Sequence, residues 1–165
     1  MNREAPSTGL ALTHAAPSGV AARLEAANVV LFALEGRLYG LEILSLDEIT
    51  MMPAITFVPR SPSFYLGITS ARGRIVPIVD LRRRMNMPPR SPDKMTRVIV
   101  VRPDEEPVGL VVDSVIAVTR LDLAAVEPPP ATLPAATGSF LSGIVRMKSD
   151  EIVSLLNLTT LLPVE

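Results

Sequence analysis

Tyr65-Leu66-Gly67-Ile68-Thr69-Ser70-Ala71, then Arg72-Gly73, then Arg74-Ile75-Val76-Pro77-Ile78-Val79-Asp80-Leu81: this stretch decides the fold. Two runs rich in β-branched residues are joined by a dipeptide whose glycine accepts the positive φ that a tight hairpin turn requires. The same grammar recurs on both sides of it. Residues 29–34 and 37–43 flank Glu35-Gly36, residues 97–102 and 108–112 flank the acidic Asp104-Glu105-Glu106, and residues 140–147 and 151–156 flank Ser149-Asp150. Four hairpins are therefore expected. Residues 46–50 and 115–121 read as connecting strands, while 81–85 and 158–162 read as short helical turns, the first capped by Asp80. Prolines at Pro88-Pro89 and Pro128-Pro129-Pro130 mark loops, because proline cannot donate to a sheet ladder. Short strands with turn signals about every 8 to 12 residues predict an all-β sandwich or barrel.

The chain also repeats itself. Tyr39-Gly40-Leu41-Glu42-Ile43, followed by Leu46, matches Val108-Gly109-Leu110-Val111-Val112, followed by Val115. Downstream, Gly67-Ile68, Ile75-Val76 and Asp80-Leu81 correspond to Gly143-Ile144, Ile152-Val153 and Asn157-Leu158, with one residue inserted in the second turn. Two copies of one β-meander are implied, each expected to close its own small barrel and so hide its edges. The division is expected near residues 86–96. Residues 1–27 hold Pro6, Ser7, Gly9, Pro17, Ser18 and Gly19 with little periodicity, which predicts a disordered arm before a folded unit over 28–164.

Composition narrows the chemistry. With 165 residues, the chain can bury about two thirds of its unfolded surface without staples. No apolar run approaches the ~20 residues of a membrane span, so no direct membrane insertion is expected. His14, Pro17 and Ser18 interrupt anything like a signal peptide, which points to the cytoplasm. Cysteine is absent, which removes disulfides, thiolate metal sites and a cysteine nucleophile together. The single histidine, His14, falls in the leader, away from any ordered base or ligand set. Neither phosphate-cradling glycine motif is present, and neighbouring carboxylates such as Asp47-Glu48 point to opposite faces of a strand. No enzyme, cofactor or metal is therefore expected. Arg72, Arg74, Arg82, Arg83, Arg84, Arg90, Lys94 and Arg97 are half of the 16 basic residues. They lack the interleaved aromatics of a nucleic-acid surface, so the patch reads as a solvated or protein-binding face, with no nucleic acid as partner.

Residues 28 to 163 resemble the CheW-like family along nearly their whole length. Phe32-Ala33-Leu34, Tyr39-Gly40-Leu41 and Leu46-Asp47-Glu48-Ile49 are similar to its opening strands, and the block from Gly67 to Leu81 is similar to its most recognisable motif. Val108 to Val115 and Ile152 to Leu158 follow in the family's order. Ser70-Ala71 stand where the family usually places Asn-Leu, a departure that puts the contacts of that strand in question. The resemblance implies two five-stranded SH3-like β-barrels on a shared hydrophobic core. It further implies a stand-alone, non-enzymatic adaptor between a chemoreceptor cytoplasmic tip and the regulatory domain of a CheA-type histidine kinase, recruited to membrane receptor arrays through those partners. A small-ligand or nucleic-acid-binding barrel of the OB-like kind is the alternative.

Six residues stand out as partner-binding candidates. Asp47, Glu48 and Ile49 set charge beside an apolar side chain, the mixture of an interface rim and its centre. Arg72 should sit at a hairpin tip, free to direct its guanidinium to a partner or to brace a neighbouring loop. Ile43 and Val115 are receptor-groove candidates by their place in the resemblance, with core packing as the alternative for each.

Overall fold

A computed structural model of the chain describes residues 26–162. The strands are β1 (Ala26–Leu34), β2 (Arg37–Glu42), β3 (Leu46–Met51), β4 (Tyr65–Ala71), β5 (Arg74–Asp80), β6 (Arg97–Val101), β7 (Val108–Val112), β8 (Ser114–Asp122), β9 (Leu141–Arg146) and β10 (Ile152–Leu156). Single-turn helices α1 (Leu81–Arg84), α2 (Ala135–Gly138) and α3 (Leu158–Leu161) punctuate them. All four expected hairpins form. Glu35-Gly36 and Arg72-Gly73 both take left-handed φ values, 53° and 75° in the first turn and 54° and 75° in the second. Positive φ at both central residues matches the right-handed twist of the strands that such turns join.

The strands form two five-stranded sheets, in the orders β8-β1-β2-β10-β9 and β3-β6-β7-β5-β4. We call them the terminal and central barrels. Bridges from Glu127 to Ile144 and from Thr56 to Ile68 bring the chain beyond β8 and β3 back against β9 and β4, curling each sheet toward closure. Three hydrophobic layers follow from the period of two along each strand. On β1, Val29 and Leu31 pack into the terminal barrel with Leu121, Val145, Val153 and Leu155. The alternate residues Val30, Phe32 and Leu34 face a common core with Val79, Leu81, Ile99, Val101 and Leu110. Val76, Ile78, Val98 and Val100 fill the central barrel. Each such side chain, fully buried, contributes roughly 1.5–3 kcal/mol of transfer free energy, which is how a chain without staples holds this fold.

Two sequence expectations need correction. The boundary near 86–96 separates the two repeats but not the two barrels. Each repeat gives its first two strands to one barrel and its last three to the other, so β1 and β2 join β8, β9 and β10, while β6 and β7 join β3, β4 and β5. The exchange is made through parallel pairings, β2 with β10 and β7 with β5. Gly40 and Gly109 permit them, since a Cβ at Gly40 would come within 3.0 Å of Leu155 and one at Gly109 within 2.7 Å of Ile78. A hairpin that is apolar on both faces cannot be satisfied within its own repeat, and the partner repeat covers it. The second correction is at the start of the fold. Ala26 and Ala27 already pair with Asp122 and Leu121 in β1, so the strand begins before Asn28. The rest of the proposed arm, residues 1–25, lies outside the described residues, as do 163–165.

Polar contacts tie the shared core together. Asp80 caps α1 by accepting the Arg82 N–H at 3.0 Å, as expected, and Asn157 caps α3 in the same way at 2.9 Å. Arg84 lies between the rings of Phe64 and Phe140, 4.9 and 4.7 Å from their centroids. Its Nε donates to Leu161 O at 2.6 Å and its Nη2 to Thr160 O at 3.2 Å, satisfying carbonyls at the end of α3. One arginine thus links an aromatic residue from each repeat.

Candidate protein-interaction surfaces

The central barrel's seam lies between edge strand β3 and the hairpin of β4 and β5. Leu46 pairs with Val101 and Glu48 with Val100, so Asp47 is the extra residue of a bulge. Bulges are common at sheet edges, where they re-aim side chains. Beyond it, Glu48 and Thr50 turn toward the seam, and Asp47 and Ile49 face solvent. Arg72 reaches across from the hairpin tip, its Nη2 3.4 Å from Glu48 Oε1. The two flank a cleft of about 330 Å³ that Thr50, Met51 and Thr69 also line. Asp47 pairs with Arg102 at 3.4 Å. The structure therefore gathers Asp47, Glu48, Ile49 and Arg72 on one edge. Arg72 is 73% exposed, and a pair so wetted is worth about 0–1 kcal/mol, so its effect is to fix geometry more than to hold the fold.

Ile43 and Val115 are elsewhere. Ile43 does not extend β2, as its β-branched side chain suggested; it opens a 3-10 turn, Ile43–Ser45, that carries the chain from one barrel to the other. Val115 pairs with Phe32 on β8. Both are half-buried against the shared core, so packing and accessibility coexist at these positions. Leu44, between Ile43 and Ser45, is 91% exposed and had no sequence signal of its own.

The basic run does not form the single solvated face that its composition suggested. Arg82 is buried, donating from Nε to Asp113 Oδ1 at 2.8 Å and from Nη2 to Asp113 Oδ2 at 2.6 Å, with Nη1 on Pro88 O at 2.8 Å. Asp113 Oδ2 also accepts the Glu35 N–H at 2.9 Å. The pair thereby fastens the 86–96 linker, α1 and the first hairpin together. Burial opposes ionisation of Asp113, but the hydrogen bonds from Arg82 and Glu35, with the nearby charges of Arg82 and Arg90, outweigh it and hold the carboxyl below its ordinary value. The hydrogen bond to Asp113 in turn raises Arg82 above the usual guanidinium value. Arg74 pairs with Glu106, Arg83 with Asp80 and Arg90 with Asp93. Sequence reading missed the Arg82–Asp113 pair because its members are 31 residues apart and meet only through tertiary packing. Among the described residues, no group of three or more His, Asp or Glu side chains could hold a metal ion, and no helix is long and apolar enough to cross a membrane.

Two interleaved five-stranded barrels form the frame in which this chain matches known proteins. The CheW-like domain matches residues 28–165. The chain belongs to the CheW-like family of chemotaxis coupling proteins. It is 35% identical over 115 residues to the chemotaxis protein CheW of Klebsiella aerogenes, covering 70% of this chain and 69% of that one. Against protein FrzA of Myxococcus xanthus the identity is 31% over 115 residues, covering 70% and 72% of the two chains. The crystal structure of the scaffolding protein TtCheW from Thermoanaerobacter tengcongensis superposes with a TM-score of 0.77 at 33% identity, covering 84% of this chain and 94% of that one. The two-barrel architecture read from the sequence is thus the architecture of the CheW-like scaffold.

Proposed function

We propose that this CheW-like protein is a non-enzymatic adaptor that couples the cytoplasmic tip of a chemoreceptor to the regulatory domain of a CheA-type histidine kinase. It would act in the cytoplasm and reach membrane receptor arrays through those partners. The observation that carries the reading is the placing of two groups of candidate residues at different parts of one shared core. Asp47, Glu48, Ile49 and Arg72 occupy the outer seam of the central barrel, whereas Ile43 and Val115 lie at the rim of the shared core. An adaptor needs such a division, so that one partner can be held without displacing the other. Membership of the family supports the choice of partners.

Reconstitution tests this directly. Purified protein, a receptor cytoplasmic fragment and a CheA-type kinase are mixed, and co-sedimentation and kinase autophosphorylation are measured with each component left out in turn. The expected result is a ternary complex whose kinase activity depends on this protein. Binding to a labelled oligonucleotide in place of both proteins would favour the OB-like alternative.

A further inference from the structure

The repeat lets each residue of one seam be matched with its counterpart in the other. Val29 and Val98 crowd Gly40 and Gly109 in the same way, which equates β1 with β6 and so β8 with β3. The bulge falls at Ile116 on β8, as it does at Asp47 on β3. Ala117, opposite Leu31, then takes the place of Glu48, and Val118 that of Ile49. Counting five residues on from Gly143 and Gly67 puts Lys148 in the place of Arg72. The basic tip is retained and its acidic partner is missing.

The terminal seam is correspondingly open. A cleft of about 540 Å³ separates β8 from the β9 hairpin, against about 330 Å³ in the central barrel. Arg120, Arg146 and Lys148 line it, all exposed, and none has an ion-pair or hydrogen-bond partner among the described residues. Among the described residues its one lining carboxylate is Asp122, which already accepts the Ala124 N–H at 3.0 Å. Beyond the tip, Glu151 accepts the Ser149 hydroxyl at 3.0 Å, and Asp150 is turned through a φ of 70° in the turn itself. Among the described residues β8 pairs only with β1, so its other edge has no ladder partner among them, and Ile116 and Val118 stand 55% and 54% exposed along it. The central edge carries Asp47 in place of Ile116 and Ile49 in place of Val118, with Glu48 between them, so there charge of the kind that protects an edge strand flanks a single exposed apolar residue.

We propose that the terminal seam is a docking site for an extended acidic segment of a partner protein, which adds to β8 as a further strand. Its apolar residues would cover Ile116 and Val118, and its carboxylates would meet Arg120, Arg146 and Lys148, supplying from outside the negative charge that Glu48 supplies within the central barrel. Main-chain pairing along a free edge, with alternate side chains setting preference, is a recurrent mode of peptide recognition. The inference stands apart from the receptor and kinase assignment, since it rests on this seam alone.

Fluorescence anisotropy with a labelled heptapeptide alternating valine and glutamate tests it on the full chain. Binding is expected, at least tenfold weaker for the valine–lysine counterpart and for a peptide with proline at its centre. The double variant Arg146→Glu, Lys148→Glu should bind the acidic peptide at least tenfold more weakly while melting with the parent, and Arg72→Ala should bind it as the parent does. Equal binding of the lysine peptide, or no loss in the double variant, overturns the charge assignment. Equal binding of the proline peptide overturns strand addition. If the parent self-associates in sedimentation and Lys148→Glu alone makes it monomeric, the occupant is a second copy and the proposal is wrong.

Discussion

In the central barrel, Glu48 and Arg72 meet across the seam, whereas in the terminal barrel Ala117 and Lys148 occupy the same places and make no ion pair among the described residues. The strand order, the bulge, the close-packed glycines and the capped single-turn helix are common to both. The comparison teaches that the strand order and the apolar layers are repeated whereas the charged contacts are not, at the seam as at the buried Arg82. A scaffold gains from that arrangement, because one folding solution presents two unlike surfaces in a fixed relation.

The largest expected effect comes from a contact that only one repeat possesses. Thr159 stands in the second repeat where Arg82 stands in the first, and only Arg82 has a buried carboxylate to hold. Arg82→Met should cost about 3–4 kcal/mol, because it removes two charge-assisted hydrogen bonds from the largely buried Asp113 and leaves it only the Glu35 N–H and Arg90 at 3.8 Å, whereas Thr159→Met should be nearly neutral; denaturant melts compare them. The pair also predicts a pH dependence. Asp113 has a folded pKa below its ordinary value, so its contribution is fully present above about pH 4 and is lost as pH falls through the folded value. Asp113→Asn should flatten the acid limb of stability relative to the parent, and identical acid limbs would contradict the account.

The next comparison is between matched glycines. A Cβ at Gly67 would lie 2.2 Å from Thr56 O, and its φ of 144° disfavours any side chain. At Gly143 the nearest atom is a movable Val126 methyl at 2.4 Å, with Glu127 O at 2.9 Å. Gly67→Ala should therefore cost about 2–4 kcal/mol and Gly143→Ala about 1–3 kcal/mol, as strain adds to overpacking only at the first. Equal losses in thermal melts would show that the backbone at Gly67 relaxes. A smaller effect is expected at the aromatic clasp. Arg84→Leu places at α1 the residue that α3 already has at Leu161, and should cost about 1–2 kcal/mol through the lost stacking and carbonyl contacts. No change in denaturant midpoint would mean that the shared core holds the repeats without it.

The hairpins were legible in the sequence because a tight turn is a local event. Gly36 and Gly73 announce theirs by residue type alone, and the Asp80 cap needs only the residues beside it. The interleaving was not legible. Val29 to Leu34 carry apolar side chains on both faces, and nothing in that run states which repeat supplies the strand beside β2; the decision falls to the fit of Leu155 and Val153 against Gly40. The candidate site was half legible for a similar reason. Charge beside an apolar residue marks Asp47, Glu48 and Ile49 as an edge, but the Glu48–Arg72 contact spans 24 residues and depends on seam closure. Ile43 shows the opposite failure, since its β-branched side chain suggested a strand and the crossing between barrels imposed a turn.

The smallest effect on stability should accompany the largest effect on binding, and this is where the adaptor account is most exposed. Arg72→Ala and Glu48→Lys alter exposed or half-exposed side chains, and changes of that kind usually shift stability by about 0.5 kcal/mol. Truncating one partner of a directed charge contact in an interface can cost about 2–5 kcal/mol of affinity. Affinities for the receptor tip and the kinase regulatory domain, measured beside thermal melts for both variants and the parent, decide the matter. The account predicts unchanged melting with loss of one partner and retention of the other. Melting many degrees lower with equal loss of both partners would show that Glu48 and Arg72 hold the barrel together, and the division into separable surfaces would fall.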